Sequence, residues 1–85
     1  MSGDRVPVDA AEIWPDDADA EEGVVVNWFV REGRAVDEGE TLCEIQVEKV
    51  SVDVTAPLAG ELVEIELPED AEFEKGDALA WIEPA

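Results

Sequence analysis

Apolar and polar residues alternate along much of this chain with a period of two. Val24, Val26, Trp28 and Val30 form one such run and Val63, Ile65 and Leu67 another, the second interleaved with polar residues. Period two puts successive side chains on opposite faces of an extended backbone, so both runs predict strands. Turn-forming residues follow each run, at Arg31-Glu32-Gly33-Arg34 and at Pro68-Glu69-Asp70-Ala71. After a short segment come Glu38-Gly39-Glu40 and Lys75-Gly76-Asp77, and then a further strand in each case. No amphipathic stretch reaches helical length, which predicts an all-β domain.

The two runs belong to an internal repeat. Placing residues 23–46 over 60–83, an offset of 37, aligns Gly23 with Gly60, Val26 with Val63, Glu32 with Glu69, Gly39 with Gly76, Leu42 with Leu79 and Ile45 with Ile82. Apolar character coincides as well at Trp28/Ile65, Val30/Leu67 and Val36/Phe73. Shared letters and a shared burial pattern predict two similar halves packed as two sheets about a pseudo-two-fold axis.

Between the repeats the alternation changes parity. Cys43, Ile45 and Val47 are odd-numbered, whereas Val50, Val52 and Val54 are even-numbered, so the pattern slips at Glu48-Lys49. A hairpin centred there repairs the slip. It pairs Val47 with Val50, Ile45 with Val52 and Cys43 with Val54 on the apolar face, and Gln46 with Ser51 on the other. Lys49 is left at the tip. With neither Gly nor Asn available, the tip predicts an unprimed type I turn. Position 48 shifted by 37 is the last residue of the 85, so the two-fold predicts a tip remote from the chain ends.

Length and composition narrow the chemistry. Eighty-five residues make one domain, 1–85, too small for a deep cleft. With no His, no Tyr and one Cys, the chain cannot carry a Ser-His-Asp triad, a Cys-His dyad, a His-ligated metal, a four-Cys cluster or an internal disulfide. No catalytic residue and no metal ligand set is therefore assigned. A calcium loop starting at Asp17 would need Gly at 22 and Glu at 28, where Glu22 and Trp28 stand. Neither a signal-peptide core nor a membrane-spanning apolar run is evident, which predicts a soluble cytoplasmic protein.

Charge adds a separate constraint. Twenty-four Asp and Glu against five Lys and Arg give a formal charge of −19, spread along the whole chain rather than gathered in a tail. Such a charge disfavours nucleic acid and anionic membrane as partners and favours a monomer. Carboxylate repulsion is nearly screened out where the Debye length falls to roughly 3 Å, at about 1 M salt, so the composition suits the salt-rich cytoplasm of a halophile.

Four segments then carry a family resemblance: Gly-Val-Val-Val-Asn-Trp-Phe-Val-Arg-Glu-Gly at 23–33, Val36 to Leu42, Ile45 to Val50, and Ala56-Pro57-Leu58-Ala59-Gly60. Together they resemble the lipoyl domain of 2-oxoacid dehydrogenase acyltransferases, over roughly Val6 to Glu83. The resemblance implies a flattened barrel or sandwich of two four-stranded antiparallel sheets, the barrel-sandwich hybrid. It also implies lipoic acid in amide linkage on Lys49, with Val47, Glu48 and Val50 as the flanking residues that the lipoate-attaching enzyme reads. The departures of Gln46-Val47-Glu48-Lys49-Val50 from the family's Glu-(Thr/Ser)-Asp-Lys-(Ala/Val) signature include Val47 in place of the hydroxyl residue and Glu48 in place of Asp.

On this resemblance the chain is a non-catalytic swinging-arm carrier. It would be a substrate of a lipoate ligase or octanoyl transferase, and would pass acyl or aminomethyl groups and reducing equivalents between enzymes. Implied partners are components of a 2-oxoacid dehydrogenase or glycine-cleavage type complex and dihydrolipoamide dehydrogenase. The loop after the first strand, Asp9 to Glu22, has no counterpart in the second half. In the family it lies beside the modified lysine, which makes Trp14, Asp16 and Asp17 candidates for partner recognition.

Two rival readings share the fold. A biotin carrier also uses a hairpin lysine, but biotinyl domains resemble Met-Lys-Met at the tip, whereas Glu48-Lys49-Val50 stands here and the single Met is residue 1. In an unmodified interaction barrel, Lys49 would be a solvated turn residue. Elsewhere, Lys75 reads as a surface turn residue, Cys43 as a small core residue, and Trp28, Phe29 and Trp81 as core or barrel-cover residues.

The excess charge bears on stability independently of any family. The core of so small a domain offers only about 3–5 kcal/mol of net stability, which repulsion in dilute buffer rivals. The thermal midpoint, followed by circular dichroism and tryptophan emission, is expected to rise between about 50 mM and about 2 M salt. A midpoint insensitive to salt would remove the halophile reading and leave the carrier reading untouched.

Overall fold

The computed structural model describes residues 4–15 and 18–85. Eight strands form two four-stranded antiparallel sheets. They are β1 (Val6–Asp9), β2 (Glu22–Trp28), β3 (Ala35–Val36), β4 (Thr41–Val47), β5 (Val50–Thr55), β6 (Gly60–Ile65), β7 (Glu72–Glu74) and β8 (Ala78–Pro84). One sheet runs β1-β8-β6-β3 and the other β5-β4-β2-β7. Among the described residues the one helical element is a single 3₁₀ turn, Ala10–Ile13, capped by the Asp9 carboxylate, which accepts from Ala11 N–H. Among the described residues no helix is long and apolar enough to cross a membrane.

The offset of 37 runs through the whole architecture. β2, β4 and β3 of the first half correspond to β6, β8 and β7 of the second, while β5 occupies in one sheet the edge that β1 occupies in the other. Each half contributes its short middle strand to its partner's sheet: β3 pairs with β6, and β7 with β2. Small contacts repeat too. Phe29 N–H donates to Leu42 C=O at 2.9 Å and Glu66 N–H to Leu79 C=O at 3.0 Å. Asp37 N–H donates to the Glu40 carboxylate and Glu74 N–H to that of Asp77, both at 2.9 Å.

The repeated identities acquire physical reasons. Leu42, Leu79, Ile45 and Ile82 are fully buried between the sheets. Val26 and Val63 sit at matching β-bulges, where the register shifts between Val25 and Asn27 and between Leu62 and Glu64. Glu32 and Glu69 reach across the molecular waist, each carboxylate accepting a main-chain N–H of the other half: Ile65 to Glu32 at 2.8 Å and Trp28 to Glu69 at 3.1 Å. Gly23 and Gly60 lie where a Cβ would crowd a facing strand.

The bulges overturn one expectation. The period-two run Val24, Val26, Trp28 does not lie on one buried face: Val25 is the fully buried residue and Val26 is exposed. In the second half Leu62 is likewise buried, while Val63 and Ile65 are only half-buried. An extra residue in each strand flips the parity part-way along. Of the alternatives of core or barrel-cover residue, Phe29 is not core: it lies beyond the end of β2 and is 48% exposed. Trp28 and Trp81 are half-buried, their indole N–H groups donating to Leu67 C=O at 2.7 Å and to the Glu66 carboxylate at 2.9 Å.

Close packing of β6 on β8 generates a prediction. A Cβ on Gly60 would collide with the carbonyl oxygen of Glu83, whereas one on Gly76 would meet nothing within 4 Å. In urea titrations Gly60→Ala is expected to lose about 2–3 kcal/mol and Gly76→Ala no more than about 0.5 kcal/mol. Gly23→Ala, whose Cβ would lie 3.0 Å from Phe73 Cζ and 3.1 Å from the Gln46 carbonyl oxygen, should fall between them because neither contact is as close as the one at Gly60. Equal losses at the three sites would contradict this account of the repeat.

Candidate functional site at the β4–β5 hairpin

β4 and β5 pair in the register that the parity slip predicts, with Val47 opposite Val50, Gln46 opposite Ser51, Ile45 opposite Val52 and Cys43 opposite Val54. Glu48 and Lys49 alone make the turn. Cys43, Ile45, Val47 and Val54 are fully buried, so the hairpin is held by its root while its end stands clear of the core. Glu48, Lys49 and Val50 are exposed. The turn differs from the unprimed type expected. Glu48 has φ +58°, whereas the first central residue of an unprimed type I turn has φ of about −60°. A two-residue connection must match the right-handed twist of its strands, and that demand prevails although no Gly is present.

The loop between β1 and β2 packs beside this tip. Trp14 is buried, with its ring edge against Phe73 at a centroid distance of 6.0 Å and an interplanar angle of 87°. Its Nε1–H donates to Ala20 C=O at 3.0 Å, and Ala20 N–H donates to Glu48 Oε2 at 2.7 Å. Trp14 therefore anchors the loop from within. Asp16 and Asp17 lie outside the described residues. Sequence reasoning missed Ala20 and Phe73, because a main-chain N–H and a core aromatic leave no mark in a motif.

An open groove of about 300 Å³ adjoins the tip, lined by Glu22, Gly23, Val24, Gln46, Glu48 and Glu72. It is acidic and shallow. Lys49 makes no ion pair among the described residues, where the sole such pair joins Arg5 to Glu64 at 3.1 Å. No group of three or more Cys, Asp or Glu among them is arranged to hold a metal ion. The site thus offers one accessible amine, on a stiff support, in open surroundings. These surroundings fit an acyl group in amide linkage on Nζ, since neither burial nor a competing partner obstructs it.

Comparison with known proteins agrees with this geometry. A family model described as "Biotin-requiring enzyme", the biotin/lipoyl attachment domain, matches residues 15–82, and the chain belongs to that family. A dihydrolipoyllysine-residue acetyltransferase component of the pyruvate dehydrogenase complex from Mycobacterium tuberculosis is 39% identical over 61 residues, covering 72% of this chain and 11% of the relative. The chain spans between 11% and 14% of the length of the curated relatives it matches. The lipoyl domain of the 2-oxoglutarate dehydrogenase complex from Azotobacter vinelandii superposes with a TM-score of 0.67 at 24% identity, covering 100% of both chains. Kluyveromyces lactis urea carboxylase gives a TM-score of 0.66 at 26% identity over 81% of this chain and 6% of its own.

Cys43, on the same hairpin, supplies a chemical test. It is fully buried, and burial pushes its thiol pKa up to about 12 by disfavouring the thiolate. At neutral pH the folded protein holds a protonated, shielded thiol, which cannot exchange with a nearby disulfide. A coloured thiol reagent at about pH 8 is expected to leave the native protein unlabelled and to label one equivalent in denaturant. Rapid native labelling would place Cys43 nearer the surface than β4 allows.

Proposed function

We propose that this chain is a covalent lipoate carrier, modified on Lys49, that moves acyl or aminomethyl groups and reducing equivalents between the active sites of a multienzyme complex. The supporting observation is an exposed lysine at the end of a tight hairpin whose register is fixed by buried residues on both strands. Attachment requires that Nζ lose a proton, attack a carboxyl carbon already activated by the modifying enzyme, and displace its leaving group to form the amide. The chain supplies only accessibility and a fixed point of attachment. When bound, a lipoyl group supplies a dithiolane that can be reduced and acylated.

Carriage then depends on tethering. A flexible arm on a small folded base keeps its end at high effective concentration near each enzyme in turn. The partners we propose are a lipoate-attaching enzyme, the acyl-transferring components of a 2-oxoacid dehydrogenase or glycine-cleavage type complex, and dihydrolipoamide dehydrogenase, with the carrier acting as a monomer in the cytoplasm. Lipoate is preferred to biotin because Val50 and Glu48, rather than methionines, flank the lysine. The sequence relatives that carry dihydrolipoyllysine support the same choice.

Intact-mass and peptide mapping of natively expressed protein is expected to find a lipoyl increment on Lys49 and none on Lys75. Lys49→Arg should remain folded and accept no group. A biotin increment on Lys49 would replace the lipoate reading with a biotin carrier, and an unmodified Lys49 in the native host would leave an interaction barrel. Unfolding of Lys49→Arg would show a structural lysine instead of an attachment site.

A further inference from the structure

Ala20 joins two parts of the molecule that are otherwise distinct. Its carbonyl accepts from the buried Trp14 indole at 3.0 Å, and its N–H donates to Glu48 Oε2 at 2.7 Å, so both of its main-chain polar groups are engaged, one toward the core and one toward the tip. One residue further, Glu21 C=O accepts from Lys75 N–H at 2.8 Å, which ties the same segment to the β7–β8 turn. A continuous line of contact therefore runs from Phe73 and Trp14 in the core, through Ala20, to the residue immediately before Lys49.

The backbone at Glu48 points the same way. Its φ of +58° is a conformation that favours Gly or Asn, and a strained residue persists where its surroundings require it. Glycine at this position would relieve the strain but could not reach Ala20. The side chain is the feature that the strained turn retains.

We propose that Glu48 is a positioning residue. Its carboxylate braces the hairpin tip against the 18–21 segment, so that tip and loop form one rigid surface on which Lys49 is presented to the enzymes that load and unload it. The brace itself stands on geometry, and its effect on loading rests on the carrier reading above. A mobile tip would have to be ordered each time an enzyme docks, and a pre-ordered one avoids that entropic cost. The brace also accounts for a long loop with no counterpart in the second half: it carries Ala20 to the hairpin tip formed by Glu48 and Lys49.

The test compares Glu48→Ala, Glu48→Gln and Trp14→Phe with the parent protein, by amide exchange at Ala20 and by kcat and KM for modification of Lys49 by a lipoate-attaching enzyme. Glu48→Ala is expected to speed Ala20 exchange and to lower kcat/KM, each by about tenfold, mainly through KM. Glu48→Gln keeps an acceptor oxygen without the charge and should restore both. Trp14→Phe keeps the aromatic contact with Phe73 but removes the indole donor, and should loosen Ala20 and lower kcat/KM with Glu48 intact.

Unchanged exchange in Glu48→Ala would overturn the brace. Faster exchange with unchanged loading would overturn its positioning role. A Glu48→Gln protein with a protected Ala20 amide but loading as poor as Glu48→Ala would show that the enzyme reads the charge directly, which also overturns it. A parent protein that neither a lipoate- nor a biotin-attaching enzyme modifies would bring down the carrier reading and the positioning role together, an outcome distinct from efficient loading of every variant.

Discussion

A slip of one residue between β4 and β5 would turn Cys43, Ile45 and Val47 toward solvent and bring Glu44 and Gln46 into the core. Because the connection consists of two residues only, the same slip would move the lysine off the tip. Placement of the reactive amine is thus a consequence of hydrophobic burial some residues away. The exposure of the tip follows from that coupling: the tip stands clear because its root is fully buried and only two residues join Val47 to Val50.

This coupling also explains why the hairpin was legible in the sequence while the neighbouring strands were not. Around Glu48-Lys49 the apolar residues change parity once, and a single hairpin satisfies the change. In β2 three consecutive valines, 24–26, make either parity equally apolar, and in β6 Leu62 and Val63 do the same. Where both faces read as apolar, only packing decides which one is buried, and the bulges are the result. The repeat was readable because fold-determining positions recur as identical letters. The contact between Ala20 and Glu48 was not, since a main-chain donor has no letter of its own.

The acidic composition serves two purposes that the sequence could not separate. Much of it is a solvated surface. Yet Asp9, Glu32, Glu40, Glu48, Glu69 and Asp77 each accept a main-chain N–H through the carboxylate, closing turns and strand ends that Ser, Thr or Asn often close in other proteins. Charge-assisted acceptors of this kind hold the turns firmly. Neutralising the surface wholesale would therefore remove structural contacts along with repulsion, and the two effects act in opposite directions on stability.

The exchange of β3 and β7 between halves, together with the reciprocal reach of Glu32 and Glu69, makes the molecule a pair of hooks rather than a pair of blocks. Neither half contains a finished sheet: each lacks the short strand that its partner supplies, and each leaves a strand-end N–H to be met by a carboxylate from across the waist. A duplicated chain assembled in this way cannot loosen on one side and remain native on the other. Strain placed at the Lys49 end of the molecule is consequently carried into both sheets.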